Sequence, residues 1–233
     1  MNLKSSNGYV IIRDWLAEQG RKPFAFQEEC WQQLAQGKSG LVNAPTGCGK
    51  TFSVFLGALI DFINHHPNDY KKKGKNGLQL LWITPLRALA KDIGRAMEEV
   101  ITELGMNWKI GIRNGDTDSS ERARQKKQMP EVLIITPESL HLLLAQKDYP
   151  SLFTTLKIIA VDEWHELLGS KRGVQVELAV SRIVGLAMNN KNSSQLAAHS
   201  SQLSIWGISA TIGNLEEAKE VLLSTLKRFS NSY

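Results

Sequence analysis

Apolar residues recur along this chain in two rhythms. Residues 41–44, 78–84, 132–136, 157–162 and 203–209 form short runs rich in β-branched and large aliphatic side chains, with 108–113 a sixth candidate. Most of these runs lack apolar-polar alternation, which is the mark of strands covered on both faces in a parallel sheet. Between them, residues 9–19, 26–36, 49–65, 86–104, 119–129, 138–145, 174–188 and 215–227 carry helical spacing. Strand and helix alternate, so the pattern predicts a doubly wound α/β architecture with a mostly parallel β-sheet and helices on both faces. In the segment 49–65, Phe52, Val54, Phe55, Leu56, Leu59, Ile60, Phe62 and Ile63 go almost right round the helix, which predicts deep burial. The polar stretches 67–77, with Lys71-Lys72-Lys73, and 189–201 read as exposed loops.

A chain of 233 residues, 42% hydrophobic and 22% charged, is long enough for one large domain with a buried core. None of its apolar runs approaches the roughly 20 residues that cross a bilayer, so no membrane partner is expected. Residues 1–8 hold one lysine and no apolar core, unlike a secretory leader. Two cysteines, Cys30 and Cys48, cannot build a disulfide framework, and together these features predict a cytoplasmic protein. A net charge of +5 and a pI near 9.2 favour anionic partners.

Chemistry concentrates in two places. The stretch Ala44-Pro45-Thr46-Gly47-Cys48-Gly49-Lys50-Thr51 follows a strand and opens an apolar helix. It fits the phosphate-loop pattern G-x-x-x-x-G-K-[ST], with Ala44 in place of the leading glycine. Glycines let backbone N–H groups curl around phosphates, and the helix N-terminus adds partial positive charge. Lys50 then reaches the β and γ phosphates and the Thr51 hydroxyl ligates Mg²⁺, which makes ATP and magnesium the expected cofactors. The second place is Asp162-Glu163-Trp164-His165, at the end of an apolar strand. An isolated acidic pair there often only caps a helix. Beside a phosphate loop, Asp162 is expected to hold the metal and Glu163 to position the attacking water.

These motifs belong to a longer ordered set. Phe24-Ala25-Phe26-Gln27, the phosphate loop, Thr84-Pro85-Leu86-Arg87-Ala88-Leu89, Thr136-Pro137-Glu138-Ser139-Leu140, Asp162-Glu163-Trp164-His165 and Ser209-Ala210-Thr211 follow one another along the chain. The set resembles the motifs of superfamily 2 helicases. The segment from Asp162 to Leu178 is similar to the Lhr-like (large helicase-related) group, particularly the bacterial ligase-associated DEXH-box helicases. The resemblance covers about residues 24–213 and implies a single RecA-like domain. It also implies that Gln27 reads the adenine edge, and that Thr84, Arg87, Asn114 and Thr136 touch one nucleic-acid strand. His165, with Ser209 and Thr211, would couple the nucleotide site to that strand. Lys50, Asp162, Glu163 and His165 form the expected catalytic set.

Helicases of this kind take an arginine finger from a second similar domain, worth roughly 10³ to 10⁵ in rate. Only residues 212–233 follow the last motif, so that second RecA-like domain is expected to be absent from this chain. The implied function is ATP-driven movement on nucleic acid, DNA in preference to RNA, in a DNA-repair setting, with a DNA ligase or nuclease as a possible partner. Two alternatives stay open on the residues alone. One is an RNA helicase, since sugar-phosphate contacts do not separate the polymers. The other is a nucleotide-gated binding module without motor activity.

Overall fold

The computed structural model describes residues 2–45, 47–193, 203–210 and 212–230. Six strands form one sheet: β1 (Gly40–Asn43), β2 (Leu80–Ile83), β3 (Ile110–Arg113), β4 (Val132–Ile135), β5 (Ile158–Val161) and β6 (Ser204–Ser209). Their order is β1-β6-β5-β2-β4-β3, and every neighbouring pair is parallel. The sheet is therefore the one the apolar runs predict, including the sixth candidate. Strands β2 to β6 are each shorter than their runs, while β1 is shifted one residue toward the N-terminus, so that Ala44 lies just beyond it.

Alternation along the strands sends side chains to two separate cores. Leu80 and Trp82 of β2, Val132 and Ile134 of β4, and Ile158 and Ala160 of β5 face one side. Leu81, Ile83, Leu133, Ile135, Ile159 and Val161 face the other. Helices close both sides over β2, β4, β5 and β6, whose residues are all buried, so nothing selects for polar residues there.

The first core lies under α1 (Asn7–Glu18), α2 (Ala25–Ala35), α3 (Lys50–His65) and α4 (Arg87–Glu103). Helix α3 is apolar all round because α1 and α2 pack over its outer face while the sheet takes its inner one. Val54, Phe55, Leu59 and Ile63 are wholly buried there. Each such side chain contributes roughly 1.5 to 3 kcal/mol by leaving water.

The second core lies under α6 (Pro137–Leu144), α7 (Tyr149–Leu152), α8 (Trp164–Leu167), α9 (Lys171–Ser193) and α10 (Leu215–Ser230). Helix α5 (Ser119–Lys127) closes the β3 edge, its first turn capped by Asp118, whose carboxylate accepts from the Glu121 N–H at 2.7 Å. Short α7 and α8 escape sequence periodicity because four residues hold barely one turn.

Helix α9 departs from expectation at both ends. It begins three residues early and runs through Ser193, so residues 189–193 are helix and not loop. The rest of the expected loop lies outside the described residues.

Candidate nucleotide site and strand-binding face

A wholly parallel sheet brings all its C-terminal ends to one side, and every motif lies there. Ala44 follows β1, Thr84 follows β2, Asn114 follows β3, Thr136 follows β4, Asp162 follows β5, and Ser209 ends β6. Open α/β sheets place their ligand sites at this edge.

After β1 the backbone turns through Gly47 (φ 85°) and Gly49 (φ 71°), both left-handed. A side chain at either position would strain this turn, and the space where a Gly47 Cβ would point is open to 4 Å. Helix α3 starts at Lys50, so its unpaired N–H groups face the loop. Half-buried Thr51 sits in that first turn.

Lys50 is only 9% exposed, and its Nζ donates to the Ala44 carbonyl at 2.7 Å. Among the described residues no carboxylate lies within ion-pair reach of it. A buried ammonium held by a neutral carbonyl is under-compensated, and a triphosphate is the anion that fits. Thr46 lies outside the described residues. Pro45 and half-buried Cys48 complete the loop, and Cys48 is an unpaired thiol.

Gln27 reaches this loop in a way the motif reading does not anticipate. Its Oε1 accepts from the Phe24 N–H at 2.9 Å, and its Nε2 donates to the Gly49 carbonyl at 3.0 Å. The amide thus caps α2 and ties it to the phosphate loop, leaving one N–H and one lone pair uncommitted. Phe24 is 53% exposed and stacks on Phe26 with ring centroids 5.6 Å apart.

Asp162 is 3% exposed. Its Oδ1 accepts from the Glu163 N–H at 3.0 Å and its Oδ2 from the Trp82 indole at 3.3 Å. Burial, and then the neighbouring Glu163 charge, push its carboxyl up to about 6 despite the Lys50 charge. A carboxylate so placed fits a cation. Glu163 adopts φ 48° and ψ 44°, a left-handed conformation that costs a non-glycine residue roughly 1 to 2 kcal/mol. Strain of this kind collects at functional sites, and here it turns the Glu163 carboxylate to within 3.4 Å of His165 Nδ1.

That same Nδ1 receives the Ala210 N–H at 3.3 Å and lies 3.1 Å from Ser209 Oγ. His165 thus touches both the Asp162–Glu163 segment and the end of β6. Thr211 lies outside the described residues.

The residues expected to touch a nucleic-acid strand are placed less simply. Thr84 is wholly buried with its hydroxyl unpartnered, Thr136 is 2% exposed and donates to Ser139 Oγ at 3.2 Å, and Asn114 is 4% exposed. The Asn114 carboxamide accepts from the Asp116 N–H at 2.9 Å, folding its own turn. The expected strand contacts of Thr84, Asn114 and Thr136 thus fall on side chains that are buried in this conformation. In this conformation only Arg87 presents a side chain, and its guanidinium pairs with Asp116 at 3.3 Å. Beneath the Asn114 turn, Arg113 is 6% exposed with Nη1 unpartnered, and burial and then Arg122 lower its pKa. Arg122 donates to the Asn114 carbonyl at 3.1 Å. Arg113 and Arg122 thus lie together beneath this turn, with Asp116 exposed above them.

The sequence profile of the DEAD/DEAH box helicases matches residues 24–219. This chain belongs to that helicase family. It is 32% identical over 207 residues to the Lhr helicase/uracil glycosylase of Escherichia coli strain K12, covering 80% of this chain and 13% of that protein. It is 36% identical over 196 residues to the ATP-dependent helicase Lhr-Core of Sulfolobus acidocaldarius, covering 82% of this chain and 21% of that protein. The structure of Mycobacterium smegmatis helicase Lhr bound to ssDNA and AMP-PNP is similar with a TM-score of 0.74 and 30% identity, over 91% of this chain and 26% of that one. The chain thus spans a small part of the length of these helicases.

The contacts of three residues of this helicase domain could not be read from the sequence. Trp82 hides in a strand apolar on both faces, and only the β2–β5 pairing brings it under Asp162. Asp116 and Arg172 carry no local signal for the partners they take. No helix among the described residues is long and apolar enough to cross a membrane.

Proposed function

We propose that this chain is the nucleotide-binding domain of an ATP-driven DNA helicase or translocase. The observation that carries the reading is the Lys50 ammonium. It is buried at the mouth of a left-handed glycine loop, with a neutral carbonyl as its hydrogen-bond partner and with Asp162 and Glu163 across the same sheet edge.

The loop and the α3 N-terminus bind the phosphates, and Lys50 takes the charge of the β and γ groups. Gln27 offers its remaining N–H and lone pair to adenine while it keeps Gly49 in place. Thr51 and Asp162 would hold the magnesium that accompanies ATP and neutralises charge between those phosphates. Glu163 orients the attacking water and accepts its proton, and His165 passes the state of that carboxylate to Ser209 and Ala210. A second similar domain supplies the arginines that complete hydrolysis. Opening and closing of the two domains around one strand then gives stepping by differential binding. DNA is favoured because the Lhr structure similar to this chain holds ssDNA. A DNA-repair setting, a ligase or nuclease partner and a cytoplasmic location complete this assignment.

The deciding measurement is ATP hydrolysis by the intact protein, alone and with single-stranded DNA or RNA, beside Lys50→Ala and Glu163→Gln. We expect DNA stimulation that both substitutions abolish, with nucleotide affinity lost in Lys50→Ala and kept in Glu163→Gln. RNA stimulation alone would transfer the motor to RNA. Indifference to both polymers would leave a nucleotide-gated binding module.

A further inference from the structure

Arg172 stands in the first turn of α9, just past the Asp162–His165 segment, and its guanidinium reaches two other motifs at once. Its Nε donates to Glu138 Oε1 at 2.8 Å and its Nη1 to the Pro85 carbonyl at 3.3 Å. Pro85 follows Thr84 after β2, and Glu138 follows Thr136 and Pro137 at the start of α6. Strands β2 and β4 are neighbours, with Ile83 opposite Ile135, so these two loops leave the sheet side by side. One planar fork clips them together.

The clip is anchored on the nucleotide side. The Gly173 N–H donates to Ser170 Oγ at 3.1 Å, and a Cβ on Gly173 would stand 2.1 Å from the Leu167 carbonyl oxygen. The first turn of α9 is therefore pressed against the end of α8, which carries His165. A lysine could not replace this arrangement, because a point charge lacks the fixed fork that serves two acceptors in one plane.

We propose that Arg172 is a positioning residue that sets the spacing of the Thr84–Arg87 and Thr136–Glu138 loops, and so prepares both for one nucleic-acid backbone. The proposal rests on the reading of this face as strand-binding. Arg172 acts through Pro85 and Glu138 and does not itself take a phosphate.

The test uses the full chain with Arg172→Ala, Arg172→Lys, Glu138→Ala and the Arg172→Ala/Glu138→Ala double variant. Single-stranded DNA affinity is measured across a salt series, and the affinity of a fluorescent ATP analogue in parallel. We expect Arg172→Ala and Glu138→Ala each to weaken DNA binding by about tenfold, with the double variant no worse than either. Arg172→Lys should fall short of rescue, and nucleotide affinity should stay within about twofold throughout. The salt slope should be unchanged, because no phosphate contact is lost. If Arg172 instead binds phosphate, its removal lowers the slope by about one, and Glu138→Ala tightens binding by removing a negative charge. Either result overturns the proposal while leaving the strand-binding face intact. A wild-type chain that binds no DNA would remove the strand-binding reading, and this proposal with it.

Discussion

Asp162→Asn should make the nucleotide-free protein more stable at neutral and alkaline pH. The Asp162 carboxyl is raised from its ordinary 3.8 to about 6, with burial the first cause and Glu163 the second. That difference of about 2 units corresponds to about 3 kcal/mol of penalty on the ionised form once the pH is well above both values. Asparagine removes the charge and keeps Oδ1 available for the Glu163 N–H. Its amide nitrogen, however, then faces the Trp82 indole donor, which forfeits a hydrogen bond worth about 1 kcal/mol. The net gain is about 2 kcal/mol, or an increase in Tm of roughly 4 to 8 °C for a chain of this size.

The pH dependence has a definite sign. With its pKa raised on folding, the group binds a proton in the folded chain that the unfolded chain has already released between about pH 4 and 6. Wild-type stability therefore falls as pH rises through that window, and the variant, lacking the group, should not share this fall. Urea unfolding in chelator at about pH 8 and about pH 4 separates the cases. The variant should lead at the higher pH and lose its lead, or trail slightly, at the lower one. An equal midpoint at pH 8, or a gain independent of pH, would refute the buried-charge reasoning.

Three further outcomes follow from single contacts. Glu163→Gly relieves the left-handed strain, so its unfolding free energy should rise by about 1 kcal/mol while hydrolysis is lost; a lower midpoint would show that the strain is not there. Gly173→Ala drives a methyl against the Leu167 carbonyl and should cost about 2 to 3 kcal/mol in a thermal melt, whereas a wild-type melt would mean that α8 and α9 are not so tightly joined. Asp116→Asn releases Arg87 and removes a negative charge from the strand-binding face. DNA affinity should increase by about threefold to tenfold at low salt, with the gain fading as salt screens it; equal affinities at low salt would sink the idea.

The sequence by itself determined the α/β architecture, because strand burial on both faces and helix burial on one leave periodic traces that need no partner. Helix α3 was legible for the same reason, although only the packing of α1 and α2 explains why it is apolar all round. The phosphate loop was legible because its parts are consecutive: two glycines, a lysine and a threonine act through backbone that they shape themselves. Asp162 and Glu163 were legible from their place at a strand end, but the left-handed backbone at Glu163 leaves no mark in composition.

Tertiary structure alone decided which distant residues meet. Trp82 and Asp162 are 80 residues apart, Pro85 and Arg172 are 87, and Arg87 and Asp116 are 29. These pairs exist because the strand order places β2 beside β5 and separates it from β3 by β4 alone, a choice that no local pattern shows. Burial of Thr84, Asn114 and Thr136 was hidden for a related reason. A polar residue after a strand reads as a surface contact until neighbouring loops close over it, and closure depends on the whole sheet edge at once.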